Sequence, residues 1–559
     1  MPHGNHLTKT AAGVVAVLLL FYWTLPNHPI DFGSATPGDH QYRGAFHVHS
    51  VESDGGGTVE EIATAARAAN LDFVILTDHG NGTEHIPPRY IDDVLILNGV
   101  EISTDGGHYI AVGMPQAPYP LGGDTKGVVE DVRRLGGFGI VAHPYSPREE
   151  LRWQDFTLPV DAIEWINGDS QWRNAGFFSL LSSSLHYWFR PVGSLKTVLH
   201  RPTDSMNMWD AMASNASVVG LAGLDAHARL ATGSGDEGYT GGFVFRFPWY
   251  EELFQLFGIR VKLDRGQTGN AATDALNLLS NIKSGRFYSS VDSLATPPEF
   301  TFLGTLPDGN VIAMGETVPS NQDLQLVAKL SRPSGAALRL LRNGTSVAES
   351  INLEVTYTAD SSDPPAVYRA EVYLSGSYAN GDVPWIVSNP IFVGSRETEI
   401  PPSMPTSGSY ELNPSAWRTE QHADTEVTLD LNNDILTLTY TLGNSTATYA
   451  AIAHDIELGS ITPDVFVEFM VRTSKPMRIS AQLRHGVGED RRWRGSFYAD
   501  QNDRRVQIPV RDFSTVGPSG SLEENVSGVD GLLFVVDTVN FQRNSAGEIR
   551  ISELRISQK

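Results

Sequence analysis

The sequence predicts an α/β barrel followed by two all-β sandwich domains. Between about Gly44 and Ser293, apolar strands alternate with helices, and nearly every strand carries His, Asp or Glu at or beside one end. Fully apolar strands of this kind are typical of parallel strands buried on both faces, and polar residues at their carboxyl ends indicate a site at the mouth of a barrel. From about Leu294 onward, short strands separated by Pro, Gly and Asn turns indicate β-sandwiches.

Composition limits the chemistry that the chain can perform. Its 559 residues include no cysteine and carry a formal net charge of −24. Disulfides and thiolate metal sites are therefore excluded, and any metal must be held by His, Asp and Glu. An acidic surface repels the nucleic-acid backbone, so nucleic acid is not expected as a non-specific partner.

Residues 1–40 are interpreted as a signal peptide or signal anchor plus a linker. An uncharged apolar run covers residues 11–25, just after Lys9. As a helix this run would rise about 22 Å, short of a bilayer core of about 30 Å, which fits a signal-peptide core or a short anchor. We expect export to the periplasm or another extracytoplasmic compartment. Cleavage is left open, with a membrane contact through residues 11–25 if the segment is retained.

The barrel is assigned to residues 41–295. Two stretches within it, from Ser170 to Pro202 and from Ala228 to Gly269, follow strand ends and look like insertions. Each is interpreted either as a lid or specificity element over the mouth, or as helices packed on the barrel.

The remainder of the chain is assigned to β domains. A small β-sandwich covers residues 296–396, a linker covers 397–409, and a jelly-roll-like sandwich covers 410–559. The last domain resembles carbohydrate-binding modules in its strand pattern, so a glycan or another cell-envelope ligand is a candidate partner.

The stretch "GAFHVHSVESDG" carries the first candidate ligands. Residues i and i+2 of a strand face the same way, so His47 and His49 can bind one metal, and Asp54 follows in the next loop. Alone, this pattern is more typical of an ordinary strand with polar side chains than of a metal site.

Further strand ends supply more groups of the same kind. They lie in "TDHG", "VEIS", "GGHYIA", "AHP" and "LDAHA", and the residues are Asp78, His79, Glu101, His108, His143, Asp225 and His227. Imidazole and carboxylate ligands suit Zn, Mn and Fe. The combined set therefore predicts a transition-metal site.

The motifs "HVHS", "SDG", "TDH", "VEIS", "AHP" and "DAH" resemble those of the PHP (polymerase and histidinol phosphatase) family. "WIVSNPIFVG" after the barrel is similar to the exported, carbaryl-hydrolase-like branch. The resemblance implies a distorted seven-stranded (β/α) barrel of PHP type with two or three divalent metals. It implies three linked ligand sets: His47, His49, Glu101 and Asp225; Glu101, His108 and His143; Asp54, His79 and His227.

The same resemblance implies a metal-dependent phosphoesterase that hydrolyses phosphate mono- or diesters of a small molecule. Hydroxide generated at the metal centre would attack phosphorus, and Glu101, Asp225 and His143 would be the catalytic ligands. A carboxyl- or carbamate-ester hydrolase with the same cluster stays open as an alternative. A non-catalytic binding or scaffold protein is the second alternative.

Five other residues are candidates for supporting the ligands or contacting substrate. Asp78, Glu164 and Asn167 lie at strand ends and are expected to hydrogen-bond to ligands. Arg148 and Arg229 closely follow ligand segments. Each is interpreted either as a clamp for an anionic group or as a solvated surface arginine.

Overall fold

The computed structural model describes residues 15, 21–33, 40–231, 244–376, 379–394, 409–411, 416–456, 465–485, 491–516 and 528–558. The chain forms two compact units. The first contains Met1–His79, Ile86–Gly99 and Ile140–Glu397, and the second contains Gly80–His85, Val100–Gly139 and Thr398–Lys559. The fold is mixed α/β and consists mainly of strands.

The region from residue 30 to residue 296 alternates strands and helices. Its strands are β1 (Ile30–Asp31), β2 (Gln41–Val48), β3 (Phe73–Leu76), β4 (Arg89–Ile91), β5 (Val94–Thr104), β6 (Gly107–Val112), β7 (Phe138–Val141), β8 (Ala162–Asn167), β9 (Val219–Gly223), β10 (Leu230–Ala231), β11 (Val244–Phe245), β12 (Gly258–Lys262), β13 (Phe287–Ser290) and β14 (Ala295–Thr296). Its helices are α1 (Val59–Ala68), α2 (Thr125–Arg134), α3 (Gly168–Asn174), α4 (Phe177–Tyr187), α5 (Pro191–Leu195), α6 (Thr203–Asn215), α7 (Tyr250–Leu253) and α8 (Ala271–Lys283).

Parallel strands form the centre of the first unit. β2 pairs with β3, β3 with β5, β7 with β8 and β8 with β9, all in parallel. β3, β7, β8 and β9 are buried along their whole length, as their apolar sequences predict. Helix α1 begins with a capping box in which the Thr58 side chain accepts from the Glu61 amide and Glu61 accepts from the Thr58 amide.

The sheet of the first unit curls so that the chain after β9 returns to β2. The Leu224 amide donates to the Phe46 carbonyl at 2.9 Å, and the Ala226 amide donates to the His47 carbonyl at 3.1 Å. The carboxyl ends of β2 and β9 therefore lie side by side.

The stretch from Ala228 to Gly269 contributes a strand to this sheet. β12 pairs antiparallel with β2 on one edge and with β13 on the other. Its five residues include Arg260 and Lys262 and lack the apolar run that identified the parallel strands, so sequence analysis treated them as part of an insertion. Residues 232–243 of this stretch lie outside the described part of the chain.

The sheet continues into an all-β region. Its strands are β15 (Phe300–Thr305), β16 (Val311–Ala313), β17 (Thr317–Val318), β18 (Leu324–Leu330), β19 (Ala337–Arg342), β20 (Thr345–Ser350), β21 (Glu354–Ala359), β22 (Ala366–Tyr373), β23 (Ile386–Ser388) and β24 (Ile391–Val393). β16, β15, β18 and β21 form one antiparallel sheet. The remaining strands of this region belong to the same sheet as the parallel strands; they are β17, β19, β20, β22, β23 and β24. The connection is made by β23, which pairs with both β13 and β22.

A buried ion-pair cluster connects α6 to this β region. Arg369 on β22 contacts Asp210 on α6 at 2.7 Å and Glu371 at 2.6 Å, and Arg201 contacts Glu371 at 3.0 Å. Burial opposes ionisation of Glu371, but the positive charges of Arg369 and Arg201 lower its pKa to about 2. The carboxylate is therefore ionised in the folded protein.

The carboxyl-terminal part of the second unit is a sandwich of two sheets. Its strands are β25 (Ser409–Glu411), β26 (Arg418–Gln421), β27 (Glu426–Asn432), β28 (Ile435–Thr441), β29 (Tyr449–Asp455), β30 (Val465–Thr473), β31 (Met477–His485), β32 (Arg491–Ala499), β33 (Arg504–Pro509), β34 (Ser514–Val516), β35 (Val529–Asp537) and β36 (Ala546–Gln558). One sheet has the order β27-β28-β36-β30-β33 with β25 on β36, and the other has the order β26-β29-β35-β31-β32-β34. Trp493 is fully buried in the core between them, and Trp417 packs against that core.

Helix α2 belongs to the same unit and packs on the sandwich. The guanidinium of Arg478, on β31, contacts Asp131 at 2.7 Å and Glu130 at 3.2 Å. Burial disfavours the charge of Arg478, but the hydrogen bond and charge of Asp131 raise its pKa above the ordinary value.

Two predicted segments fall largely or wholly outside the described residues. Of the apolar run at residues 11–25, only Val15 and residues 21–25 are described, and of the linker at 397–409 only Ser409 is described. Among the described residues, no helix has both the length and the apolar character needed to cross a bilayer.

Candidate metal centre

Several candidate ligands lie at the carboxyl ends of parallel strands and have unusual backbone conformations. His47 has φ 64°, Asp225 has φ 52° and His143 has φ 28°. Left-handed backbone at a residue other than glycine is uncommon, and it is concentrated at functional sites, where the surrounding structure holds it in place. At His47 the β2–β3 register also shifts, which changes the direction of its side chain.

One ligand group consists of His47, His49 and Asp225, all buried. Nε2 of each histidine lies 3.5 Å from Oδ1 of Asp225. These separations exceed a hydrogen bond of about 2.7–3.2 Å, and they suit donors that share one cation about 2.1 Å from each. The donor set therefore fits a divalent transition metal.

A second group consists of His49, Asp54, His79 and His227. Oδ2 of Asp54 lies 3.0 Å from Nε2 of His227 and 3.7 Å from Nε2 of His79, and Oδ1 lies 3.4 Å from Nδ1 of His49. The His49 ring stacks on that of His227 with centroids 4.2 Å apart. His49 therefore belongs to both groups, whereas sequence analysis assigned it to one.

The electrostatics of both groups favour ionised carboxylates. Burial opposes ionisation of Asp54. The hydrogen bond and charge of His227, and to a smaller extent the charges of His49 and His79, lower the pKa of Asp54. Burial likewise opposes ionisation of Asp225, and His47, His49 and His227 lower its pKa well below the ordinary value. Imidazoles facing ionised carboxylates form a ligand set for a cation.

The remaining predicted ligands are placed as follows. The His143 ring lies 5.9 Å from that of His47, measured between centroids. Glu101 and His108 belong to the second unit, where Nδ1 of His108 lies 2.9 Å from Oε1 of Glu101.

Glu164 is fully buried and holds two candidate ligands. Its Oε1 lies 2.6 Å from Nδ1 of His47, and its Oε2 accepts the backbone N–H of His143 at 2.7 Å. The Asn167 side chain donates to Glu164 at 2.8 Å and to Asp225 at 3.2 Å. A carboxylate on Nδ1 leaves Nε2 as the nitrogen available to a metal.

Glycine at position 223 leaves room for the Glu164 carboxylate. A β-carbon placed there would lie 1.6 Å from Oε1 of Glu164, so no side chain can be accommodated without displacing the carboxylate. This requirement for glycine comes from close approach to Glu164.

The predicted supporting residues Asp78, Arg148 and Arg229 differ in what they contact. Asp78 accepts the amide and the hydroxyl of Ser50, both at 2.7 Å, and the hydroxyl of Ser53 at 2.5 Å. It therefore braces the turn between His49 and Asp54. Arg229 reaches the Asp54 carbonyl at 3.5 Å, and Nε of Arg148 pairs with Glu150 at 2.7 Å.

A tyrosine that no sequence pattern marked, Tyr250, connects the ligand segments. The buried Tyr250 hydroxyl, on α7, lies 2.6 Å from the His49 carbonyl and 3.2 Å from the His227 carbonyl. The same oxygen accepts the amides of Gly56 and Gly57 at 3.2 and 3.3 Å. The aromatic stretch "FPWYEEL" contains no motif or residue spacing that predicts these hydrogen bonds.

A cavity of about 220 Å³ lies beside His143 and Glu164. Apart from Pro144 and Pro202, its lining residues carry hydroxyl, amide, imidazole or charged groups; among them are Tyr145, Asn167, Ser170, Gln171, Asn174 and Arg201. Such a lining suits a polar ligand.

Comparison with known proteins gives matches that each cover less than a third of the chain. No family model matches it. The chain is similar to the uncharacterized protein MJ1587 of Methanocaldococcus jannaschii, with 29% identity over 139 residues, covering 22% of this chain and 80% of that protein.

Among solved structures, the chain is similar to the family 11 carbohydrate-binding module of the cellulosomal cellulase Lic26A-Cel5E of Clostridium thermocellum. The identity is 15%, the match covers 28% of this chain and 97% of the module, and the TM-score is 0.24. It is also similar to a family 30 carbohydrate-binding module, with 14% identity, 25% and 91% coverage, and a TM-score of 0.21.

Proposed function

We propose that this chain is a metal-dependent hydrolase of PHP type that cleaves phosphoesters. The observation that carries the proposal is the pair of ligand groups that share His49, one around Asp225 and the other around Asp54. Divalent metals bound there would supply a nucleophile at neutral pH by lowering the pKa of water, and would stabilise charge on the leaving oxygen.

The chain's own residues would order this centre. Glu164 would hold His47 through Nδ1, and Asp225 would join His47 to His49. Tyr250 would fix the backbone of the segments that carry His49 and His227. Glu101 and His108, which belong to the second unit, stay metal ligands implied by the resemblance to the PHP pattern.

The cavity beside His143 supports a polar substrate. Its amide and hydroxyl groups would bind the alcohol portion of a phosphoester by hydrogen bonds.

The test measures metal content and activity on one preparation of the full chain. We expect two or three Zn, Mn or Fe ions per chain by elemental analysis. We expect hydrolysis of phosphate mono- or diesters that exceeds hydrolysis of aryl acetates and aryl carbamates. The His49→Ala variant should lose metal from both groups and lose activity, whereas the exposed His85→Ala variant should keep both. Full phosphoester hydrolysis by metal-free protein would refute the proposal.

The location of the protein and the ligand of its last domain are also proposals. The apolar run at residues 11–25 supports export, with the run acting as a signal or anchor. Fractionation of expressing cells and amino-terminal sequencing of the product would test this. For the carboxyl-terminal sandwich we propose a glycan or other cell-envelope ligand, to be tested by retention of the full chain on immobilised polysaccharides.

A further inference from the structure

Helix α4 of the first unit directs its large apolar side chains towards solvent. The exposed large apolar residues on α4 and the two positions after it are Phe177, Phe178, Leu181, Leu185, Trp188 and Phe189. Phe178 is 82% exposed and Trp188 is 80% exposed. Their spacings of three and four residues place them on one helical face. We call this set the α4 aromatic face.

The opposite side of α4 is buried and carries two polar residues, Ser183 and His186, together with Tyr187. The Ser183 hydroxyl donates to the Ser194 carbonyl at 2.9 Å. The buried His186 ring lies 3.3 Å from the Ser182 hydroxyl and 3.2 Å from the Thr24 hydroxyl. A helix on a water-exposed surface normally has the reverse arrangement, with its apolar side inward. This part of the chain, predicted as a lid or a packing element, thus has an outward apolar face.

The α4 aromatic face is larger than ordinary surface patches. It exposes roughly 800 Å² of apolar side chain, if a fully exposed aromatic residue contributes about 150–250 Å², whereas the largest patch on a typical monomer is about 300–600 Å². From Ala175 to Phe189 the sequence contains no Lys, Arg, Asp or Glu. An uncharged apolar patch of this size marks a surface that contacts an apolar partner.

The amino-terminal segment indicates what that partner is. The Phe21 ring packs against His186 and Phe189, with centroids 5.0 and 5.3 Å apart. Tyr22 and Trp23 beside it are exposed. Phe21 to Trp23 belong to the uncharged apolar run at residues 11–25, so the α4 aromatic face adjoins a segment of membrane-compatible composition. Trp, Tyr and Phe are the residues that favour the bilayer interface.

We propose that the α4 aromatic face docks the protein on the surface of a lipid bilayer. The face lies in the bilayer interface beside the amino-terminal run, and its lack of charge suits zwitterionic lipid. This inference does not rest on the proposed hydrolase activity. It extends the proposed export by adding a second membrane contact, made by the folded unit.

The cysteine-free sequence permits a direct test by site-specific spin labelling. A nitroxide is attached to the full chain carrying Leu181→Cys, and its accessibility to oxygen and to a water-soluble nickel complex is measured with phosphatidylcholine vesicles. We expect the oxygen-to-nickel accessibility ratio to rise several-fold when vesicles are added. A label at Thr356→Cys, on an exposed strand position, should not change.

Two results would overturn the proposal. A label at position 181 that stays accessible to nickel with vesicles present would show that lipid does not contact the face. A label already shielded without lipid would show that a second copy or the amino-terminal run covers it.

A second experiment measures binding without a label. The Phe178→Ser/Trp188→Ser variant should need at least about tenfold more lipid to co-sediment with vesicles. The reason is that two large apolar side chains no longer enter the interface. Its activity on a soluble substrate should be unchanged, since neither residue belongs to the metal centre. Co-sedimentation equal to that of the wild-type protein would overturn the proposal even if the hydrolase proposal held.

Discussion

Replacing Glu164 with glutamine tests the orientation of His47. In the wild-type protein, Oε1 of Glu164 faces Nδ1 of His47 at 2.6 Å and Oε2 faces the His143 amide at 2.7 Å. A glutamine has one oxygen and one NH₂, so it must present a donor to one of these two N–H groups. If the NH₂ faces His47, the imidazole accepts at Nδ1 and carries its proton on Nε2, which removes the lone pair that a metal needs.

The expected fall in metal affinity follows from the loss of the contact between the Glu164 carboxylate and His47. Removal of a partner that orients a metal-binding histidine typically lowers metal affinity 10- to 100-fold, or about 1.4–2.8 kcal/mol. The assay is titration of Zn²⁺ or Mn²⁺ into chelator-treated full chain at one fixed pH, with competition by a chelator of known affinity. The Gly223→Ala variant should lower affinity in the same direction, because its β-carbon would displace the Glu164 carboxylate.

The matched control is Glu299→Gln, a change of the same kind at an exposed position. This variant should bind metal like the wild-type protein. Thermal unfolding of the metal-free proteins separates a loss of affinity from a loss of folding. Metal affinity equal to that of the wild-type protein in both Glu164→Gln and Gly223→Ala, with all three proteins folded, would refute the orientation of His47 by Glu164.

Three further changes test contacts elsewhere. Tyr250→Phe should lower the free energy of unfolding by about 1–3 kcal/mol in urea denaturation, because buried carbonyl and amide groups lose their shared hydroxyl. The pKa of Glu371 is lowered from 4.5 to about 2, so its ionised carboxylate stabilises the fold fully above pH 4.5. The free energy of unfolding should fall by up to about 3 kcal/mol as the pH is lowered towards 2. The Glu371→Gln variant should lack this acid-dependent part of unfolding curves measured across that range. Arg478→Ala should destabilise the second unit by about 3–5 kcal/mol in denaturant unfolding, because the carboxylate of Asp131 stays buried without its main cationic partner.

Each of these changes has its own control. Tyr357→Phe removes a hydroxyl that makes no hydrogen bond within the described part of the chain, and it should leave stability unchanged. Glu354→Gln, at an exposed position, should show the same loss of stability below pH 4.5 as the wild-type protein. The same acid-dependent loss in Glu371→Gln would contradict stabilisation by the ion pairs of Glu371. The Arg478→Ala/Asp131→Asn double variant should recover part of the stability lost by Arg478→Ala, because it removes the unpaired buried charge without restoring packing. No recovery would mean that the loss comes from packing rather than charge.

Local sequence patterns were sufficient to find the parallel strands and the residues at their ends. The apolar runs of β3, β8 and β9 are buried as their sequences indicate. His47, His49, Asp54, His79, Asp225 and His227 lie in two groups that share His49. Both signals are carried by residues a few positions apart, and a strand end fixes where its last side chain lies. The closed seven-stranded barrel of PHP type stays part of the proposal.

Other features depended on packing between residues distant in sequence. β12 pairs antiparallel with β2, although its charged residues gave the pattern expected of an insertion. Tyr250 reaches a carbonyl 201 residues away, and no local pattern encodes such a contact.

The backbone of the metal ligands and the direction of the α4 aromatic face were likewise decided by tertiary structure. His47, His143 and Asp225 adopt left-handed conformations that their residue types disfavour locally, so the surrounding hydrogen bonds must hold them. The helical spacing of aromatic residues indicates that α4 has an apolar side. Burial of His186 and Ser183 against the rest of the unit determines that this side faces outward.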